Sequence, residues 1–122
     1  MTNGPEILNF APIEDARGSL LPIEFADVPF TVRRVFVVTG PLGGATRGDH
    51  AVACAELLCL VDGRAVVQLG DDHTTLGEPV VLVRPGQSVL VAPGTFVRYS
   101  LADASSVLLV LAEEPHSGGH RE

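Results

Sequence analysis

Turn signals cut this chain into short apolar segments, and that punctuation limits its fold more than any other feature. Asp62-Gly63 is a hairpin signal, Gly70-Asp71-Asp72-His73 a second tight turn, and Arg84-Pro85-Gly86 and Pro93-Gly94 mark two more. Between such signals lie Ile7–Phe10, Leu20–Phe25, Thr31–Thr39, Glu56–Val61, Arg64–Leu69, Val80–Val83, Ser88–Ala92, Phe96–Leu101 and Ser106–Ala112. Thr31–Thr39 has the densest run of β-branched residues, and Pro22 places Leu20–Phe25 at a sheet edge. No stretch carries the 3.6-residue period of an amphipathic helix. About nine or ten short strands joined by turns make an all-β sandwich or barrel.

At 122 residues the chain has room for one domain with its own core, expected over residues 1–114. The remainder, PHSGGHRE, is polar and glycine-rich, a tail expected to be disordered, with nothing rigid to hold His116 and His120 on a metal. No apolar run approaches the roughly 18 residues of a membrane span. The stretch MTNGPEILNF lacks the basic and apolar regions of a signal peptide, so a cytoplasmic location is expected. A net charge of −7 argues against a nucleic-acid polymer as partner. All eight basic residues are Arg, whose planar fork suits carboxylate or phosphate, so a small phosphorylated ligand stays compatible with that charge. Cys54 and Cys59 would face opposite sides of one strand and cannot bridge; both read as buried hydrophobes, Cys54 on the pocket side.

The stretch from Gly44 to Gly63 spaces His50, Val52, Cys54 and Glu56 evenly, so on an uninterrupted strand they share one face. Gly44, His50, Glu56 and Gly63 resemble the landmarks of the first cupin motif, whose metal-binding members carry a second His where Val52 stands. Gly86–Gly94 with Thr95-Phe96-Val97 resembles the second cupin motif, whose His is here Val97. The resemblance implies a cupin-type double-stranded β-helix, or jelly roll. A first-row metal needs several converging N, O or S ligands. With valine at both positions, no metal and no other cofactor is expected.

A narrower resemblance runs through most of the chain. Phe10, Asp15-x-Arg17-Gly18-Ser19-Leu20, Glu24, Pro29-Phe30, Arg34-Val35-Phe36, Arg47-Gly48-x-His50-Ala51, Leu58-Cys59 and Gly63 occur in one order. They resemble the small metal-free cupins of the FdtA/QdtA (WxcM-like) group, 3,4-ketoisomerases of nucleotide-linked 4-keto-6-deoxyhexoses. That resemblance implies a thymidine-diphosphate sugar in the barrel mouth, a side-chain base that removes the proton beside the ketone, and a homodimer. Members typically carry His-Ala-His, a Tyr after the Arg-Val pair and a late Trp-His. Here the corresponding residues are His50-Ala51-Val52, Phe36-Val37 and Phe96-Val97.

His50 therefore reads as the base, since imidazole titrates near neutrality. Tyr99 and Glu56 are the further catalytic candidates, Tyr99 for return of the proton and Glu56 either in the pocket or satisfied by a neighbouring Arg. Arg34, preferred over Arg33, and Arg47 are expected to bind substrate, with Phe36, Val52, Cys54 and Val97 lining the pocket. Arg98 is expected at the surface, Arg17 in a turn that packs on a neighbour, and Asp71-Asp72-His73 at a solvated hairpin tip. Because the departures from the group run from protic to apolar, two other readings stay open. One is a biosynthetic dehydratase, epimerase or cyclase on a less polar substrate; the other is a non-catalytic binding module.

Overall fold

In a computed structural model, which describes residues 5–40 and 46–114, eleven strands account for nearly all regular structure. They are β1 (Glu6–Asn9), β2 (Ile13–Asp15), β3 (Gly18–Leu20), β4 (Arg34–Thr39), β5 (Thr46–Ala51) and β6 (Glu56–Asp62). There follow β7 (Ala65–Gly70), β8 (Val80–Leu82), β9 (Gln87–Val91), β10 (Phe96–Leu101) and β11 (Val107–Ala112). All pairings are antiparallel. A five-stranded sheet runs β1-β9-β6-β11-β4, a four-stranded sheet β5-β10-β7-β8, and β2-β3 form a separate hairpin. This is the all-β build expected from the turn pattern, in the jelly-roll form that the cupin resemblance implies. The tail with His116 and His120, and the glycine-rich connection at 41–45, lie outside the described residues.

Two apolar layers hold the sheets. Between them, Val38, Leu58, Leu60, Val89, Leu108 and Val110 meet Val67, Leu82, Val97, Tyr99 and Leu101. On the outer face of the five-stranded sheet, Leu57, Cys59 and Leu111 are covered by Phe10 and Val28, with Leu21, Ile23, Phe30 and Val32 packed alongside. β6 is thus buried on both faces, which explains why Leu57–Leu60 is a continuous apolar run without polar alternation. Truncating Leu57 or Leu58 to Ala removes ~2–5 kcal/mol.

That outer layer corrects the reading of Leu20–Phe25 as a strand. The extended part is Gly18–Leu20, the chain then drops Leu21 and Ile23 onto the sheet, and Phe25–Asp27 form a single 3-10 turn. Pro22 removes a donor inside that stretch. Strand β4 begins at Arg34, three residues later than its β-branched run suggests, because Val32 belongs to the outer layer. Gly86 fastens the N-terminal cover to the sheet: its N–H donates to the Leu60 carbonyl at 2.7 Å, and its carbonyl accepts from Phe10 N–H at 2.9 Å. At φ 92° a side chain there would be strained, and a Cβ would overlap the Phe10 carbonyl oxygen.

Candidate functional site

Most nominated residues lie toward one end of the barrel, where β4 and β6 begin and β5, β9 and β11 finish, while Arg47 and Tyr99 sit deeper along β5 and β10. Two connections, 52–55 and 92–95, carry the chain between sheets at this end. They clasp through Val52, whose N–H donates to Thr95 (2.9 Å) and whose carbonyl accepts from Gly94 N–H (2.8 Å). Because β5 ends at Ala51 and β6 begins at Glu56 in the other sheet, His50, Val52, Cys54 and Glu56 do not share one continuous strand face. A bulge also interrupts β5 itself, just before His50.

The bulge sets the direction of two site residues. In the pairing of β5 with β10, Val97 opposes His50, Arg98 opposes Gly48, and Tyr99 opposes Arg47, with Asp49 left over. Gly48 and Asp49 both have positive φ, 80° and 58°. Residues three apart on a regular strand face opposite ways, but the extra residue resets the alternation. Arg47 and His50 therefore both stand on the face that carries buried Val97 and Tyr99. Gly48 lies against the Tyr99 ring, where a Cβ would come 3.3 Å from Cε1 and 2.9 Å from the Val97 carbonyl oxygen.

His50 Nδ1 lies 3.1 Å from the Ala51 carbonyl oxygen. A carbonyl can only accept, so the neutral ring carries its proton on Nδ1 and its lone pair on Nε2. Nε2 is buried, as are the Tyr99 hydroxyl and Arg47 Nε, and Arg47 Nε has no hydrogen-bond partner among the described residues. An imidazole nitrogen, a phenol and a guanidinium are thus presented on one strand pair.

Across the barrel, Arg34, Ala112 and Glu56 form one row over three strands. Adjacent strands are ~4.8 Å apart, so Arg34 and Glu56 must reach over Ala112, and the small residue between them leaves the space. Arg34 Nη2 lies 3.9 Å from Glu56 Oε2, with both side chains largely buried. The Arg34 guanidinium also sits 5.0 Å from the Phe36 ring centroid, a cation–π contact. Arg33 is exposed, so the choice of Arg34 as the inward residue holds.

Val52 and Val97 are packed into the core between the sheets, 2% and 1% exposed. Cys54 is buried in the 52–55 connection and belongs to neither apolar layer, while Cys59 lies in the outer one. Both thiols are free, and burial pushes that of Cys59 up, partly offset by a hydrogen bond with Ser88. A cleft of about 580 Å³ opens beside the 92–95 connection, between Ala92, Thr95, Leu69 and the 70–78 turn. It takes in none of the nominated residues, and its charged lining is acidic: Glu6, Asp71 and Glu78. Among the described residues no group of His, Cys, Asp and Glu converges as a metal site would require.

Asp72 organises the hairpin tip by accepting from Thr74 and Thr75. Those hydrogen bonds, with the nearby His73 charge, hold its carboxyl below the usual range. Arg17 pairs with Asp15 at the exposed β2–β3 turn. The residues missed from sequence are Gly48 and Asp49. Arg98 does lie on the outward register, as expected, and pairs there with Asp49.

With this geometry in hand, the comparisons decide the family. Residues 3–119 match the family described as FdtA, WxcM-like, C-terminal. The chain belongs to that family. Among FdtA-family relatives, it is 31% identical over 112 residues to a TDP-4-oxo-6-deoxy-α-D-glucose-3,4-oxoisomerase of Aneurinibacillus thermoaerophilus, covering 89% of this chain and 78% of the relative. Its fold is similar to that of QdtA, a sugar 3,4-ketoisomerase of Thermoanaerobacterium thermosaccharolyticum solved with TDP. The TM-score is 0.82 at 27% identity, over 96% of this chain and 85% of QdtA. It is also similar to WlaRB, a TDP-quinovose 3,4-ketoisomerase of Campylobacter jejuni, with TM-score 0.80 and 28% identity over 97% and 91% of the two chains.

Proposed function

We propose that this FdtA-family protein is an isomerase that moves a keto group between neighbouring carbons of a TDP-linked 4-keto-6-deoxy sugar by proton transfer. The observation that carries this reading is the buried Nε2 of His50, left as the acceptor nitrogen by the Nδ1 contact with the Ala51 carbonyl. Nε2 takes the proton from the carbon beside the ketone, and the electron pair moves into a carbon–carbon double bond as charge builds on the keto oxygen. Return of a proton to the former carbonyl carbon, with passage of the neighbouring hydroxyl proton to the former keto oxygen, completes the exchange. Tyr99 is the proposed proton carrier for that return. Arg47, with a buried donor to spare, faces the developing oxyanion or the diphosphate.

Glu56 serves in this reading to hold Arg34 in the mouth, and it takes no part in the proton transfer. Cationic charge is on the Arg34 and Arg47 side, whereas the large cleft is acidic, so the diphosphate is assigned to the arginines. The protein is further proposed to act in the cytoplasm, without a metal or other cofactor, and as a homodimer. Light scattering that returned the mass of one chain would remove the dimer.

The test is proton exchange. Incubation with TDP-4-keto-6-deoxyglucose in deuterium oxide should place deuterium on the carbon beside the ketone and yield a 3-keto sugar by NMR. His50→Ala should lose the exchange by orders of magnitude while staying folded. If the wild-type protein gives neither exchange nor a thermal shift with TDP, the reading fails. Full burial of Val52 and Val97 favours one second reading, an acid–base enzyme acting on a less polar substrate. It predicts stabilisation by apolar ligands and none by TDP.

A further inference from the structure

We propose that Asp49 and Arg98 are positioning residues: their ion pair on the outer face of the four-stranded sheet holds the bulge that turns both His50 and Arg47 inward. This inference rests on His50 being the base of the proposed isomerase.

Three observations lead to it. First, β5 is the edge strand of its sheet, pairing among the described residues with β10 only, and the strand's register slips opposite Arg98. Second, Asp49 is the only non-glycine with positive φ among the described residues, a conformation that is disfavoured and must be held by its surroundings. Third, Arg98 Nε donates to Asp49 Oδ1 at 2.5 Å, from the residue directly opposite the slip. The two side chains remain 33% and 46% exposed, so the pair adds little to stability. Its effect lies in geometry. Were Asp49 paired in a regular strand, inward-facing His50 would force Arg47 outward; with the bulge loosely held, the imidazole loses its fixed hydrogen bond to Ala51.

The test uses Asp49→Asn, which tolerates the same backbone, together with Arg98→Gln, their double variant and Arg98→Lys. Turnover is measured with TDP-4-keto-6-deoxyglucose, and the His50 ring is observed by nitrogen-15 NMR. Each single variant should lower kcat on the order of 10- to 100-fold, a displacement effect, with KM changed less than about threefold. Melting should stay within about 4 °C of wild type. The double variant should be no worse than the poorer single one, and Arg98→Lys should recover part of the loss. The ring should be the Nδ1–H tautomer in wild type and a mixture in the variants. Wild-type kcat in the single variants, losses that multiply, or kcat falling while the tautomer stays unmoved would each overturn the proposal. If the wild-type protein does not turn the sugar over, the functional reading falls and the tautomer alone decides: a mixture in Arg98→Gln upholds positioning, and no change refutes it.

Discussion

Replacing Glu56 by Leu should expose how the barrel mouth is held together. The substitution roughly conserves volume and leaves the Arg34 guanidinium without its carboxylate counter-charge. Removing one member of a buried ion pair costs ~3–5 kcal/mol. Here the N–O separation is 3.9 Å, the Arg34 side chain keeps 18% exposure, and the Phe36 ring lies 5.0 Å from its guanidinium. Those three features moderate the loss, so the lower end, ~3 kcal/mol, is expected. With an unfolding entropy of ~2.1 cal/mol/K per residue, a chain of 122 residues then melts ~12 °C lower. Urea denaturation of Glu56→Leu, Arg34→Met and the double variant measures it. The double variant should recover most of the loss, because two apolar side chains of similar size replace a buried pair at little cost. A Glu56→Leu protein within ~0.5 kcal/mol of wild type, or a double variant worse than either single one, would refute the reasoning.

Other outcomes follow from the same geometry. Gly48→Ala should lose ~2 kcal/mol or more in urea denaturation, from the left-handed backbone and the approach to the Val97 carbonyl, and should lose any isomerase turnover as well. Cys59 should resist thiol reagents at pH 8 in the native protein and react once unfolded, as burial raises its pKa. Since the folded value is raised, its contribution is complete below the unfolded thiol pKa and is lost as pH rises through the folded one. Cys59→Ala should therefore flatten the alkaline fall in stability. Asp72 has the opposite sign: its contribution is present above the unfolded carboxyl pKa and fades as pH falls through the lowered folded value. An NMR titration should find its midpoint below that of an ordinary aspartate, and Thr74→Ala should move it up.

The readability of this chain varied with the local physics. β10 was legible to the residue, Phe96–Leu101, because it alternates buried and half-buried positions between two turn signals. Arg34 could be chosen over Arg33, since only one of two neighbours on a strand can face inward. The β2–β3 hairpin was read only as a polar turn, for its strands have three residues each and stand exposed on both faces. The Gly48–Asp49 bulge was invisible for another reason: nothing in an Arg-Gly-Asp-His string tells whether the aspartate pairs or is extruded. Its partner, Arg98, is 49 residues away. Glu56 could be read either way from sequence, as a pocket acid or as a carboxylate satisfied by Arg, and the structure pairs it with Arg34.

The order of synthesis meets the order of the sheet in an awkward place. β11, the last strand among the described residues, lies between β6 and β4, and Ala112 is the bridge over which Arg34 and Glu56 face each other. Until that strand is available, β4 has no neighbour in its sheet among the described residues, and the Leu57 and Cys59 face that the N-terminal cover seals lacks Leu111 beside it. A growing chain therefore carries β1–β10 with a half-built sheet and an open apolar face, the kind of intermediate that chaperones guard. Loss of β11 should be far more damaging than loss of β1 at the sheet's edge, and slow maturation should be this protein's characteristic weakness in the cell.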